Sequence, residues 1–197
     1  MGGVLFALKG VDWDDPTVEQ LSRARGQHPV EVMIDLSLAD ENQVYVQPLV
    51  NETPDDVLGI LKHKRTLATF SDSGAHVCQE MGSSLQTHFL SYWVRKRGAF
   101  TLEEAIKKLT RDNAVAWEMN DRGLVRDGYA ADLVLFEEDR IGPQLPTVER
   151  DLPGGARRLV QKASGYVGTW VGGVRTVQHD NFTGELPGTL LRATAAR

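Results

Sequence analysis

Residues 66–76 of the chain read Thr-Leu-Ala-Thr-Phe-Ser-Asp-Ser-Gly-Ala-His, and this stretch decides how the fold is interpreted. Its first part, residues 66–70, is apolar and β-branched, which predicts a buried strand. Asp72 follows between two serines and beside a glycine, small residues that let a backbone approach a ligand closely. Because parallel α/β folds place catalysis at the carboxyl ends of their strands, Asp72 is the candidate functional residue.

Several interpretations of this stretch follow from the residues alone. The carboxylate of Asp72 could take a proton from a metal-bound water or bind the metal itself. Equally, Asp72 could cap a following helix, with Ser73 assisting. The residue type and position of His76 favour a structural histidine over a metal ligand. A serine nucleophile is disfavoured, because adjacent Asp and His residues rarely converge on a neighbouring Ser, and the chain has no Gly-x-Ser-x-Gly elbow.

Outward from this stretch, helices and strands are predicted to alternate from residue 14 to residue 118. Helix starts are marked by proline in a first turn or by a capping box, and apolar residues then recur at helical spacing. The predicted helices are 15–26, 29–38, 53–61, 83–97 and one that begins at Thr101, and the predicted strands are 44–46 and 66–70. Such alternation is typical of a parallel α/β architecture.

The composition changes near residues 121–123, after which Gly, Val and Thr dominate. Strands are predicted at residues 133–136, 166–171 and 174–177. A Gly-Gly pair between the last two strands predicts a hairpin turn. Residues 138–158 contain several prolines and glycines, which predict a loop-like crossing. The chain is therefore predicted to divide into residues 1–120 and residues 121–197.

Composition excludes several classes of protein. The formal net charge of -5 argues against a nucleic-acid partner, because phosphate backbones select for clustered Lys and Arg. Cys78 is the only cysteine, which rules out an internal disulfide and a Cys-rich zinc site. No run approaches the ~20 apolar residues of a membrane span, and no signal peptide is evident. We expect no nucleic acid, no membrane and a cytoplasmic location.

Three stretches, in the expected order, resemble the D-aminoacylase type of amidohydrolase, a branch often called amidohydrolase family 3. Residues 71–76, Ser-Asp-Ser-Gly-Ala-His, are similar to the end of the eighth barrel strand in these N-acyl-D-amino-acid deacylases. Residues 121–136, which end in Ala-Asp-Leu-Val-Leu-Phe, are similar to the family's return from barrel to β-sandwich. Residues 171–174 and 183–192 are similar to its closing hairpin and tail. Together the matches span residues 14–192.

The resemblance implies a fold, an activity and a site. The fold would be α/β, with the C-terminal part of a (β/α)8 TIM barrel over residues 1–120, namely its last two strand–helix units and trailing helices. Strands of a small β-sandwich would follow over residues 121–197. The activity would be zinc-dependent hydrolysis of the amide of a small-molecule N-acyl-D-amino acid. Asp72 would be the catalytic residue and a metal ligand, and Ser73 and His76 would bind substrate.

The chain also departs from the family pattern. It has no counterpart of the family's His-x-His or of its middle-strand metal ligands. A complete barrel needs ~250 residues, far more than precede the predicted sandwich. We therefore expect a fragment of the enzyme that retains no zinc by itself and has little or no activity. The alternative is a non-catalytic module that forms a homo-oligomer through exposed strand edges.

Overall fold

The computed structural model describes residues 5–9, 14–48, 53–71, 73–76 and 83–191. Contacts divide the chain into two compact units. The first unit comprises the described parts of residues 1–64, 72–81 and 144–162. The second unit comprises the described parts of residues 65–71, 82–143 and 163–197. Each unit therefore joins segments that are far apart in the sequence.

The described residues contain both helices and strands, so the chain is of the α/β class. The helices are α1 (Val18–Arg25), α2 (Pro29–Ala39), α3 (Pro54–Lys62), α4 (Leu85–His88), a π-helix (Phe89–Lys96), α5 (Leu102–Leu109) and α6 (Arg111–Ala116). The strands are β1 (Phe6–Ala7), β2 (Tyr45–Val46), β3 (Ser73–His76), β4 (Leu133–Phe136), β5 (Gly142–Pro143), β6 (Thr147–Leu152), β7 (Ala156–Val160), β8 (Ala163–Ser164), β9 (Tyr166–Val171), β10 (Val174–Gln178) and β11 (Asn181–Phe182).

The three helices of the first unit lie at their predicted positions, and local capping explains the starts of α1 and α2. Before α1, Thr17 accepts a hydrogen bond from the N–H of Gln20, whose side chain bonds back to the Thr17 N–H. The helix ends at Gly26, which adopts a left-handed φ of 64°. Before α2, the ring of His28 accepts from the N–H of Val30 at 3.3 Å. These predictions are confirmed.

Apolar residues of the first unit are only partly buried. In α2, Val32 is fully buried, whereas Val30, Ile34 and Leu38 are 53% to 79% exposed. In α3, Ile60 is also exposed, and no residue of this helix is buried. Within the described residues, the apolar stripe along α2 therefore has no cover.

Residues 138–158 are not the predicted loop-like crossing. β6 and β7 pair as an antiparallel hairpin in the first unit, with Val148 opposite Leu159. The turn is Pro153-Gly154-Gly155, in which both glycines have positive φ angles of 73° and 71°. The Pro and Gly residues that indicated a loop are thus the turn of a hairpin, because they follow one strand and precede the next. The prediction was wrong for this reason.

The second unit contains the better-packed core. Residues 85–96 are helical, which confirms the predicted helix, but the second half is a π-helix that the sequence pattern did not predict. This π-helix buries Phe89, Leu90, Tyr92 and Trp93. The ring of Phe89 lies 5.0 Å from that of Phe100, at the start of the next helix. The predicted capping box of α5, between Thr101 and Glu104, is confirmed by both of its hydrogen bonds.

Strands β4, β9, β10 and β11 form one antiparallel sheet, in the order β11-β10-β9-β4, whereas β5 pairs with β8 and β6 pairs with β7. The predicted strands 133–136, 166–171 and 174–177 are confirmed. Val171 pairs with Val174 across a turn made by Gly172 and Gly173. Their φ angles of 56° and 83° are adopted readily by glycine, because it has no Cβ. β4 is an edge strand of this sheet among the described residues. A packed β-sandwich remains a prediction.

The predicted strand at residues 66–70 is wrong. These residues, all of them described, form no strand. Only Ala68 is buried, and Phe70 is 75% exposed. Every strand pair whose register is known within the described ranges is antiparallel. The parallel barrel therefore remains a prediction, because its strands would need partners beyond those that the described residues supply.

Candidate functional site

The structure places only part of the predicted site. Asp72 lies outside the described residues, as does the side chain of His76. The backbone of residues 73–76 forms β3, in which Ser73 is exposed. A helix cap at Asp72 requires a helix to begin at the next residue, and a strand begins there instead. The capping interpretation is therefore wrong, whereas the roles assigned to Asp72, Ser73 and His76 stay predictions.

Side chains from two helices hold the segment that leads to Asp72. Lys108, at the end of α5, donates from Nζ to the carbonyl oxygen of Thr66 at 3.2 Å. Asn113, in α6, donates from Nδ2 to the carbonyl oxygen of Ala68 at 2.6 Å. Sequence analysis missed both residues, because a side chain that bonds to a distant backbone leaves no periodic signal. These bonds take the place of the strand partners that the sequence pattern predicted.

Three histidines within the described ranges occupy structural positions. His28 caps α2 through its ring nitrogen, and the ring of His88 stacks on Tyr92 with centroids 5.1 Å apart. His179 lies in the turn between β10 and β11 with a φ of 45°. In the part of the chain that the structure describes, no three His, Cys, Asp or Glu residues come together as a possible metal site. The described residues therefore do not suffice to hold zinc.

The second family-like stretch, residues 121–136, contains an ion-pair network. Arg122 donates to Asp121 at 2.7 Å and to Asp132 at 2.9 Å. Partial burial opposes the charge of Arg122, but the hydrogen bonds and charges of the two aspartates outweigh it and raise the pKa of its guanidinium. Asp132 also accepts from the N–H of Gly172 at 2.8 Å. The network thus ties β4 to the β9–β10 turn, which is a structural role.

A shallow cleft of about 220 Å³ lies beside β4 in the second unit. Its lining is mostly apolar, and the guanidinium of Arg126 lies 5.7 Å from the centre of the Tyr129 ring. The lining residues are Leu124, Val125, Arg126, Asp127, Tyr129, Ala130, Ala131 and Leu133. Arg126 is itself exposed, so the cleft does not have the enclosed character of a catalytic pocket.

Among the helices of the described residues, none is long enough and apolar enough to cross a bilayer.

The sequence matches the amidohydrolase family over residues 7–177, well over half of the chain. The chain belongs to this family. Among its relatives, N-acyl-D-aspartate deacylase of Alcaligenes xylosoxydans xylosoxydans is 29% identical over 154 residues, which cover 78% of this chain and 26% of the relative. D-aminoacylase of the same organism is 32% identical over 107 residues, which cover 54% of this chain and 20% of the relative.

The chain thus spans about a quarter or less of the curated relatives it matches. Among solved structures, a crystal structure of D-aminoacylase is similar with a TM-score of 0.46 and 22% identity, over 93% of this chain and 36% of that chain. N-acyl-D-glutamate deacylase from Bordetella bronchiseptica, complexed with zinc and a phosphonate inhibitor, is similar with a TM-score of 0.43 and 20% identity, over 82% and 31%.

Proposed function

We propose that the chain is the C-terminal part of a metal-dependent amidohydrolase that hydrolyses the amide of N-acyl-D-amino acids. The observation that carries this proposal is the family match over residues 7–177, together with two relatives named for deacylation of N-acyl-D-amino acids. Residues 1–120 would belong to the barrel and residues 121–197 to a small sandwich. We place the protein in the cytoplasm, in keeping with its single cysteine, Cys78.

Asp72 is the residue of this chain that we assign to the chemistry. Its carboxylate would accept a proton from the attacking water and deliver it to the leaving nitrogen of the amide. Ser73 and His76, on the adjoining strand, would contact the substrate. When bound, zinc would lower the pKa of water and polarise the amide carbonyl. Because the described residues do not supply a zinc site, the remaining ligands would come from other parts of the barrel.

The exposed apolar stripe of α2 supports the assignment of residues 1–120 to part of a barrel. Val30, Ile34 and Leu38 follow one another at helical spacing and are more than half exposed. A helix on the outside of a barrel buries such a stripe against strands and neighbouring helices. Further barrel elements would therefore account for a surface that the described residues leave uncovered.

The assignment of Asp72 is tested in the full-length protein that carries this chain. We expect the Asp72→Ala variant to lose deacylase activity toward N-acetyl-D-amino acids by at least about a hundredfold, because general acid–base groups contribute factors of that size. Asp139→Ala is a matched control, since Asp139 is an exposed carboxylate in a turn of the second unit. Full activity of the Asp72 variant would refute the assignment.

A second function is favoured by one observation. β4 is an edge strand in the described sheet, and Leu133, Val134 and Leu135 are 39% to 55% exposed. An apolar edge of this kind invites pairing with another chain. The chain would then be a module that self-associates rather than part of a catalyst. Sedimentation equilibrium separates the two: a dimer that Val134→Lys dissociates supports the module, and a monomer excludes it.

A further inference from the structure

Residues 66–70 precede the candidate catalytic residue Asp72 in the sequence and have no strand partner in the described structure. Two of their carbonyl groups instead accept hydrogen bonds from side chains. Thr66 accepts from Lys108 and Ala68 accepts from Asn113, at 3.2 Å and 2.6 Å. Backbone polar groups need such partners when a sheet does not supply them.

The two donor residues, Lys108 and Asn113, belong to helices that are well packed. Ala105 in α5 is fully buried and Ala114 in α6 is 6% exposed, so both helices are fixed by the core of the second unit. The backbone at Gly123 lies so close to α6 that a Cβ there would be 2.8 Å from the Cα of Arg111. Arg111 also donates to the carbonyl of Arg122 at 3.3 Å. Because α5 and α6 are held in this way, their donor side chains cannot easily follow a displacement of residues 66–71.

We infer that Asn113, assisted by Lys108, is a positioning residue that anchors the backbone of residues 66–71, the segment that precedes Asp72 in the sequence. A role of this anchor in catalysis by Asp72 rests on the proposed function, whereas the anchoring itself does not. Asn113 touches neither substrate nor metal in this account. It acts through the carbonyl group of Ala68, four residues before Asp72.

The chemistry of the Asn113 amide makes a sharp test possible. Its Nδ2 group donates to Ala68 and, at 3.4 Å, to the carbonyl of Leu109. Its Oδ1 atom is buried and has no hydrogen-bond partner among the described residues. Asn113→Asp keeps the shape but replaces the donor by an oxygen facing two carbonyl oxygens. The substitution therefore removes the anchor and adds repulsion, without creating a cavity.

The experiment is amide hydrogen exchange of the whole 197-residue chain, followed by mass spectrometry of peptides. We expect Asn113→Asp to speed exchange in residues 66–71 by at least about tenfold, since a lost hydrogen bond and a buried repulsion both favour opening. Exchange in β9 of the same variant should not change. Lys108→Met should speed exchange in residues 66–71 by roughly two- to fivefold, and the conservative Lys108→Arg should restore it.

Asn181→Asp is the matched control, because Asn181 also donates from its side-chain amide to a backbone carbonyl, that of His179 at 2.7 Å. It should leave exchange in residues 66–71 unchanged. The inference is overturned if Asn113→Asp leaves this segment unchanged, or speeds exchange equally in β9, since the residue would then only stabilise the unit. If Asn113→Asp does not fold, the Lys108 pair of variants gives the same decision. Activity of an Asp72 variant tests the proposed function separately.

Discussion

The two units of the chain use their apolar residues differently. In the second unit, Phe89, Trp93 and Ile141 are at most 3% exposed. In the first unit, Val32 is fully buried, yet Leu38 on the same helix is 79% exposed. Complete capping boxes occur in both units, at the starts of α1, α2 and α5, so the difference is one of packing and not of local structure. Helix capping thus suffices to form helices even where the described residues do not cover their apolar faces.

This contrast is what a partial barrel predicts. A helix outside a barrel needs strands beneath it and helices beside it to bury its apolar stripe. The second unit includes the elements that pack on its helices, whereas the described part of the first unit does not. The contrast therefore supports the proposed fragment and can be tested by matched substitutions in the two units.

The largest expected effect comes from the core of the second unit. Phe89→Ala should lower the free energy of unfolding by about 3–5 kcal/mol, because it leaves a cavity beside Phe100. Leu38→Ala, in the first unit, should change it by less than about 0.5 kcal/mol, because the side chain is mostly in solvent. Urea unfolding followed by circular dichroism measures both. Comparable losses would show that the α2 stripe is covered in solution.

Backbone contact in the second unit should give the next largest effect. Gly165 has a φ of 99°, and a Cβ there would lie 2.6 Å from the backbone of Ile141. Gly165→Ala should therefore cost about 2–4 kcal/mol, from strain together with displacement of the backbone. Gly128→Ala is the control, since Gly128 has a φ of 83° and nothing within 4 Å. It should cost about 1 kcal/mol, from conformation alone. Equal costs for the two, by thermal unfolding, would disprove the close approach.

Capping gives a smaller effect and compares the units directly. Thr101 and Thr17 both form complete capping boxes, at the starts of α5 and α1. Thr101→Ala should lower global stability by about 1 kcal/mol, because α5 is packed in the core. Thr17→Ala should chiefly speed hydrogen exchange in residues 18–25, because α1 can fray separately. Identical global losses would remove this distinction between the units.

The smallest effect is expected at alkaline pH. Burial, and then the negative charge of Asp180, raise the pKa of the Tyr166 hydroxyl above its ordinary value of 10.0. The unfolded chain therefore releases this proton at a lower pH than the folded chain. Stability contributed by the neutral hydroxyl is fully present below pH 10.0 and is lost as the pH rises through the folded pKa. Tyr166→Phe should reduce the decline of the unfolding free energy above pH 10.0, measured by urea titrations at several pH values. An unchanged decline would argue against a raised pKa of Tyr166.

Local chemistry made much of this fold predictable from sequence. The boundaries of α1, α2 and α5 follow from Pro and Thr at their starts and, for α1, from Gly26 at its end. The hairpin at Gly172 and Gly173 follows from positive φ angles that few other residues adopt. Each of these signals acts over a few residues. They are the ones that remained valid in the structure.

Long-range partners were not predictable in the same way. Residues 66–70 have the composition of a buried strand, but hydrogen bonds from Lys108 and Asn113 replace strand partners in the described structure. Pro153 and its glycines contribute to the prediction of a loop over residues 138–158, but in the structure they form the turn of the β6–β7 hairpin. For the site, the sequence pointed to Asp72 through family resemblance, and its surroundings lie outside the described residues. Anchors such as Asn113 became visible only from the structure.

The central claim is that the 197 residues carry the scaffold and Asp72, but not a complete metal site. Elemental mass spectrometry of the purified chain, after dialysis against metal-free buffer, tests this most directly. We predict a folded protein that retains far less than one zinc ion per chain. Near-stoichiometric zinc that the Asp72→Ala variant fails to retain would contradict the account, because it would show that this chain completes a metal site by itself or with a second copy.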